Sequence, residues 1–321
     1  MNVAAVNGTT LYFEMKGQGF PLVLVSGGGI LDRRGWDKEF EQLSRHYTTI
    51  RYDIRGIGKS ARPTGPFSHA EDLYTLLAFL RMPHVHVIGL SAGAAIAIDF
   101  AIAHPEMVDH LVLASPGLSN DATAKENLES LAGLAELVKS QGIDHAIDLT
   151  LNTPFVLSPG NTSAQKLIRK IYRDNIDVFE TGFPLYRMWQ PLAPPAQDQL
   201  SRIGAKVLIL RGDKDSAAYT ALIEKISRGI QQAAEYDPYT GVLVSMHGEL
   251  TRITVPVTAA TLTKEVAAFR HRIEKRTTEQ YRPHAQRLYD WLIRPLEEFP
   301  TLWDPSNPAL QMRRPLNLQE W

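Results

Sequence analysis

The chain of 321 residues contains no cysteine. That excludes disulfides, thiolate nucleophiles and zinc sites with sulfur ligands. Covalent catalysis, if any, falls to serine, threonine, lysine or a carboxylate. Net charge is equally scarce, at −1, so no basic field invites nucleic acid or an anionic membrane. No apolar run approaches the roughly 20 residues that span a bilayer. The opening "MNVAAVNGTTLYFEMKGQG" lacks a basic segment followed by an apolar stretch, and the cytoplasm is the expected location. What is present is an ordinary globular share of apolar residues, 44%, enough to fill a sizeable core.

The first half alternates strand-like and helix-like patterns. "TTLYFEM" follows an Asn7-Gly8 turn signal and leads to "PLVLV", a pairing of turn and strand chemistry. "TTIRYDI", "VHVIGL", "HLVLAS" and "KVLILRG" are short apolar runs without clean alternation, as expected of strands buried on both faces. Between them lie helical stretches such as "AEDLYTLLAFL", with Leu73, Leu76, Leu77 and Leu80 on one face. The alternation predicts an α/β fold with a mostly parallel sheet and helices on both faces.

Residues 118–202 break the rhythm. "NDATAKENLESLAGLAELVKSQ" and "SAQKLIRKIYRDNIDVFE" read as helices, and the Pro-rich stretch Pro191–Pro195 marks a return. We read this segment as a helical cap inserted into a core made of residues 1–117 and 203–233. From 234 to 300 an αβ segment follows: "GVLVSMHGELTRITVPVT" resembles a hairpin with Gly248 near its bend, and two amphipathic helices come after it. Residues 301–321 read as an extended tail.

The stretch carrying most chemistry is Gly89-Leu90-Ser91-Ala92-Gly93, set between a strand and an apolar helix. A serine in Gly-x-Ser-x-Gly at a strand-to-helix turn is held in a strained conformation, and only small neighbours let strand and helix approach. A Gly-rich turn with no catalytic role is the plainer alternative. The "GGG" at Gly27–Gly29 is not a phosphate loop, for it lacks both the Gly-Lys-Ser/Thr ending and dinucleotide spacing. His84 and His86 fall on one face of a strand but lack a third ligand nearby, so a structural role is the reading. No cofactor and no metal are expected.

Four segments in order, "PLVLVSGGGILDRRGWDKEF", "YDIRGIGKSARP", "GLSAGAAIAIDFAIAHPEMVDHLVLASP" and "LSRIGAKVLILRGDKDS", resemble the α/β-hydrolase family over residues 5 to about 233. The resemblance implies that Ser91 is the nucleophile and that the amides of Gly28 and Ala92 form the oxyanion hole. It implies that Asp215 is the triad acid, with Asp213 the competing choice. Ser26-Gly27 stands where the family usually has His-Gly. Asp53 and Arg55 are read as loop braces. The base must follow the acid in this family, which leaves His247, His271 and His284. His247 sits at about the usual gap, though in Met-His-Gly rather than Gly-His. A histidine on an exposed strand is its alternative. Phe183, Tyr186 and Trp189 are candidates for the substrate pocket beneath the cap, against the alternative of plain core residues.

A second resemblance covers Tyr236 to Phe299. "GELTRITVPVTAATLTKEVAAFRHRI" and "AQRLYDWLIRPLEEF" are similar to the N-terminal half of a CHAT domain. The catalytic cysteine of that family is absent here, so its protease activity is excluded. The segment is then a candidate surface for a protein partner. The expected function is serine-dependent hydrolysis of a small ester or related acyl or carbon–carbon bond, on a small-molecule acyl substrate. The alternative is a catalytically inactive hydrolase fold serving as a binding or scaffold module.

Overall fold

A computed structural model describes residues 2–28, 30–152, 162–210, 217–230, 233–237 and 242–245. Two compact units divide the chain, and the first takes in Met1–Ile209 and Asp215–Ala233. It opens with β1 (Val3–Val6), β2 (Thr9–Lys16), β3 (Pro21–Val25), α1 (Asp37–Leu43) and β4 (Thr48–Tyr52). There follow α2 (His69–Phe79), β5 (Val85–Leu90), α3 (Ala92–Ala103) and β6 (Val108–Ala114). A helical insertion comes next: α4 (Ala122–Gln141), α5 (Ile143–Leu151), α6 (Thr162–Asp174), α7 (Ile176–Glu180) and α8 (Pro184–Met188). Strand β7 (Lys206–Leu210) and α9 (Ala217–Gly229) complete the first unit's described elements.

The seven strands lie in the order β1-β2-β4-β3-β5-β6-β7. β1 and β2 are antiparallel to each other and β2 to β4, whereas β4, β3, β5 and β6 run parallel. The expected α/β architecture with a mostly parallel sheet is therefore present. Its register aligns Ile50, Val23, Val87 and Leu111 in one row across four strands, and all four are fully buried. Each such side chain contributes about 1.5–3 kcal/mol relative to exposure. Unalternating Val and Ile runs form these strands because helices cover both faces.

Helix α3 fits the centre for the same reason: ten of its residues are buried, from Gly93 to Ile102. Helix α2 starts where the Ser68 hydroxyl accepts the Glu71 N–H and buries Leu73, Leu76 and Leu77. The segment expected to be helical is α4, whose buried positions are Ala135 and Val138, while Leu128, Leu131, Leu134 and Leu137, three residues apart, are half-buried. One expected helix is in fact two, α6 and α7. Between them Asn175 turns its side chain back onto the Ile171 carbonyl, 2.9 Å away.

The expected loop braces carry ion pairs. Asp53, fully buried, accepts from Arg33 Nη1 and from the backbone N–H groups of Arg33 and Lys59, each at 2.9 Å. Arg55 binds Asp72 through Nε at 2.8 Å and Nη2 at 2.5 Å. Burial pushes both carboxyls up from their usual range, and the arginines oppose that shift. Breaking either pair would strand a buried charge, which costs far more than the pair itself contributes.

In the second unit, β8 (Ala233–Asp237) pairs antiparallel with β9 (Val242–Ser245), joining Tyr236 to Leu243. The run "VLVS" thus pairs with the segment before it, "AAEYD", which the pattern had not marked as a strand. The expected bend at Gly248 and the rest of the CHAT-like stretch lie outside the described residues. Among the described residues, no helix is long and apolar enough to cross a membrane.

Candidate active site

Ser91 joins the end of β5 to the start of α3 with φ 53° and ψ −115°. A non-glycine residue there is strained by roughly 1–3 kcal/mol, so the surroundings must hold it. They do so from several sides. The Ser91 N–H donates to the Ala114 carbonyl at 2.8 Å, and the Ser91 carbonyl accepts from Ala94 and Ala95 at 2.9 and 3.1 Å. A Cβ at Gly89 would lie 2.6 Å from the Gly93 carbonyl oxygen, and one at Gly93 would run into the carbonyl oxygens of Val25 and Ser26. Both glycines of the motif are therefore required by close approach. The Ser91 hydroxyl makes no capping bond to α3, although serine is a favoured capping residue.

Ala92 is the first residue of α3, so its N–H has no acceptor within the helix and stands at the positive end of the helix dipole. Gly28 comes from the loop after β3 and packs beside Ala92. A Cβ on Gly28 would lie 3.0 Å from Ala92 Cβ and 3.3 Å from the Tyr186 hydroxyl oxygen. Ser91, Ala92, Gly28 and Tyr186 are thus brought together from β5–α3, the β3 loop and α8. Ser26, beside this loop, is buried and its hydroxyl has no hydrogen-bond partner among the described residues.

The other two aromatic candidates stand differently. Phe183 is buried, adopts a left-handed conformation and packs its ring 5.1 Å from Phe179. It lines a cleft of about 260 Å³ within the insertion, together with Leu128, Ala132, Glu136, Lys139 and Arg187. Ser91 does not line that cleft. Trp189 packs edge-on against His69, with ring centroids 5.0 Å apart. Burial pushes His69 down to about 3, so it is neutral at physiological pH. Asp215 and His247 lie outside the described residues, as do the competing Asp213, His271 and His284.

His84 precedes β5 and is not part of the strand, which corrects the shared-face reading. His86 stacks on Phe20 and sits edge-on to His110 in the core. Burial, with His110 nearby, pushes it down to about 4. Among the described residues no group of three His, Asp or Glu side chains could hold a metal.

Contacts that the sequence pattern did not disclose fasten the insertion over this edge of the sheet. Asn175, buried at the α6–α7 junction, accepts the Gly58 N–H at 2.7 Å and donates to Asp32 at 3.2 Å. Arg62 forms a two-pronged pair with Asp177 at 2.7 and 2.9 Å. Arg34 reaches Asp174 at 2.6 Å. Their only sequence signal is a set of arginines after β3 and β4 and of carboxylates around residue 175.

A strained serine between a parallel strand and its helix, beside a glycine loop and under a helical insertion, defines an α/β protein with the strand–turn–helix geometry of an elbow. The model of the alpha/beta hydrolase fold family matches residues 21–236, more than half of the chain, and the chain belongs to that family. A putative carbamate hydrolase, RutD, of Yersinia enterocolitica is 31% identical over 144 residues, 41% of this chain and 52% of that protein. A 2-hydroxy-6-oxo-6-(2'-aminophenyl)hexa-2,4-dienoic acid hydrolase of Metapseudomonas resinovorans is 34% identical over 110 residues, 32% of this chain and 38% of that one. The chain thus spans about half or less of the length of these curated relatives. Among solved structures, the enol-lactonase of Burkholderia xenovorans LB400 aligns over 84% of this chain and 99% of its own, with TM-score 0.61 and 20% identity. That likeness shows the fold.

Proposed function

We propose that the protein is a serine hydrolase that cleaves a small ester or a related acyl or carbon–carbon bond through an acyl-enzyme on Ser91. The observation that carries this reading is the Ser91 backbone at φ 53°, a strained state held by two glycines with the Gly28 loop alongside. Strain of this kind persists only where the surroundings over-determine it. In the reaction, Ser91 Oγ would attack the acyl carbon, and the negative oxygen would be received by the N–H groups of Gly28 and Ala92. Such preorganised donors contribute several kcal/mol to the transition state. Asp215 and His247 are the sequence candidates for acid and base, the histidine accepting the serine proton and the aspartate orienting the ring. The helices between β6 and β7 would act as the cap. Relatives named as carbamate and dienoic acid hydrolases support the acyl class and not one substrate within it.

The test is turnover of p-nitrophenyl esters of graded acyl length by the wild type and by Ser91→Ala, Asp215→Asn and His247→Ala. Loss of the nucleophile or base lowers kcat by about 10⁶-fold, and loss of the acid by about 10⁴-fold. Unchanged turnover in Ser91→Ala would overturn the proposal. Unchanged turnover in His247→Ala alone would leave Ser91 in place and transfer the base to another histidine.

A further inference from the structure

The Tyr186 hydroxyl stands beside Gly28, whose Cβ would also meet that of Ala92, and it arrives there on a rigid support. Helix α8 begins at Pro184, directly after Phe183 in its left-handed conformation. It is fixed on one side by Leu185, fully buried against Gly56, where a Cβ would lie 2.6 Å from Leu185 Cβ. Gly56 itself has φ +94°, so the glycine both turns the loop and admits the helix. On the far side the Phe67 N–H donates to the Met188 carbonyl at 3.1 Å, and the Gln190 N–H returns a bond to Phe67 at 2.8 Å. The Tyr186 ring lies 6.3 Å from that of Phe183. Anchors at residues 183, 185, 188 and 190 thus bracket the tyrosine, and its hydroxyl oxygen comes 3.3 Å from where a Gly28 Cβ would be.

We propose that Tyr186 is a catalytic residue: its phenolic O–H donates a hydrogen bond to the acyl oxygen of the substrate, as a third donor beside the amides of Gly28 and Ala92. This rests on the reading of Ser91 as nucleophile. A hydroxyl held by the insertion would make oxyanion stabilisation depend on the seating of the cap, which two backbone amides on the sheet do not. It would also favour substrates whose acyl oxygen can take three donors at once, over those with a bulky group on that side. No covalent step is assigned to Tyr186; the proton stays on the phenol.

The experiment compares wild type, Tyr186→Phe and Ser91→Ala, with p-nitrophenyl butyrate for kinetics and a fluorophosphonate probe for labelling of Ser91. Phenylalanine keeps the ring and its packing and removes only the hydroxyl. The expected result is a fall in kcat of about 10²-fold with KM nearly unchanged, the pattern of a lost oxyanion donor. Labelling of Ser91 should be slowed but retained. A rise in KM with kcat intact would make Tyr186 a pocket wall and overturn the proposal, as would kinetics indistinguishable from wild type. If the wild type itself leaves Ser91 unlabelled and does not turn over, the reading of Ser91 fails, and the role of Tyr186 fails with it. A labelled, active wild type with an unaffected Tyr186→Phe variant defeats the tyrosine alone.

Discussion

Asp99 lies on the helix that carries the elbow, two turns after Ser91, and is almost completely buried. The Ser119 hydroxyl donates to it at 2.9 Å, and the Leu192 N–H also binds it. Burial outweighs these bonds and pushes the carboxyl from 3.8 up to about 7. The sign follows from linkage. A group whose pKa is raised by folding adds no cost while it is protonated in both states, below about pH 4. Stability is then lost as pH rises through the window up to about 7, because the unfolded chain ionises first. At 1.36 kcal/mol per pKa unit, the full penalty above pH 7 is about 4 kcal/mol. Asp99→Asn carries no charge at any pH and keeps an oxygen for Ser119. The variant should therefore match the wild type near pH 4 and exceed its unfolding free energy by about 4 kcal/mol at pH 8. Urea unfolding of both proteins at pH 4, 6 and 8 measures the difference. A gap that does not change with pH would mean that folding leaves the titration of Asp99 unshifted. The penalty comes from burying the charge alone: the Ser119 O–H, which leads into α4, and the Leu192 N–H, which follows α8, both favour the carboxylate and hold it more tightly once it is ionised.

Other perturbations separate close approach from open space. Gly93→Ala drives a methyl group into the carbonyl oxygens of Val25 and Ser26, and should cost about 2–3 kcal/mol while displacing the Gly28 loop and lowering ester turnover. Gly133→Ala, in α4 with nothing within 4 Å of its Cβ, should instead gain up to about 1 kcal/mol from helix propensity. Thermal unfolding of the pair shows whether the two glycines differ in sign. Asn175→Ala removes the acceptor of the Gly58 N–H and a donor to Asp32. It should cost about 2–3 kcal/mol for the stranded buried groups and make the insertion open to limited proteolysis before the sheet. Simultaneous cleavage of both parts would mean that Asn175 does not fasten the insertion through Gly58 and Asp32.

Much of this was legible in the chain because its signals are local. Val, Ile and Leu runs bounded by turn residues mark β3 to β7, and the spacing of Gly89, Ser91 and Gly93 marks the elbow wherever a strand precedes and a helix follows. What escaped was set by distant partners. β1 is four residues of "VAAV", too short to show a period, and exists because β2 pairs with it. β8 reads as polar "AAEYD" and is a strand through its pairing with β9. Asn175 has no motif at all: its role depends on Gly58 and Asp32, more than a hundred positions away. Tyr186 could be named as a pocket aromatic, yet only the placement of α8 puts its hydroxyl beside Gly28.

An activated nucleophile at the strained turn of Ser91 should react with a fluorophosphonate probe, and peptide mass spectrometry of the labelled wild-type protein locates the adduct. A single adduct is expected on the peptide containing Ser91, absent from Ser91→Ala and from heat-unfolded protein. An unmodified wild type, or an adduct on another serine, would contradict the reading of Ser91 as an activated nucleophile.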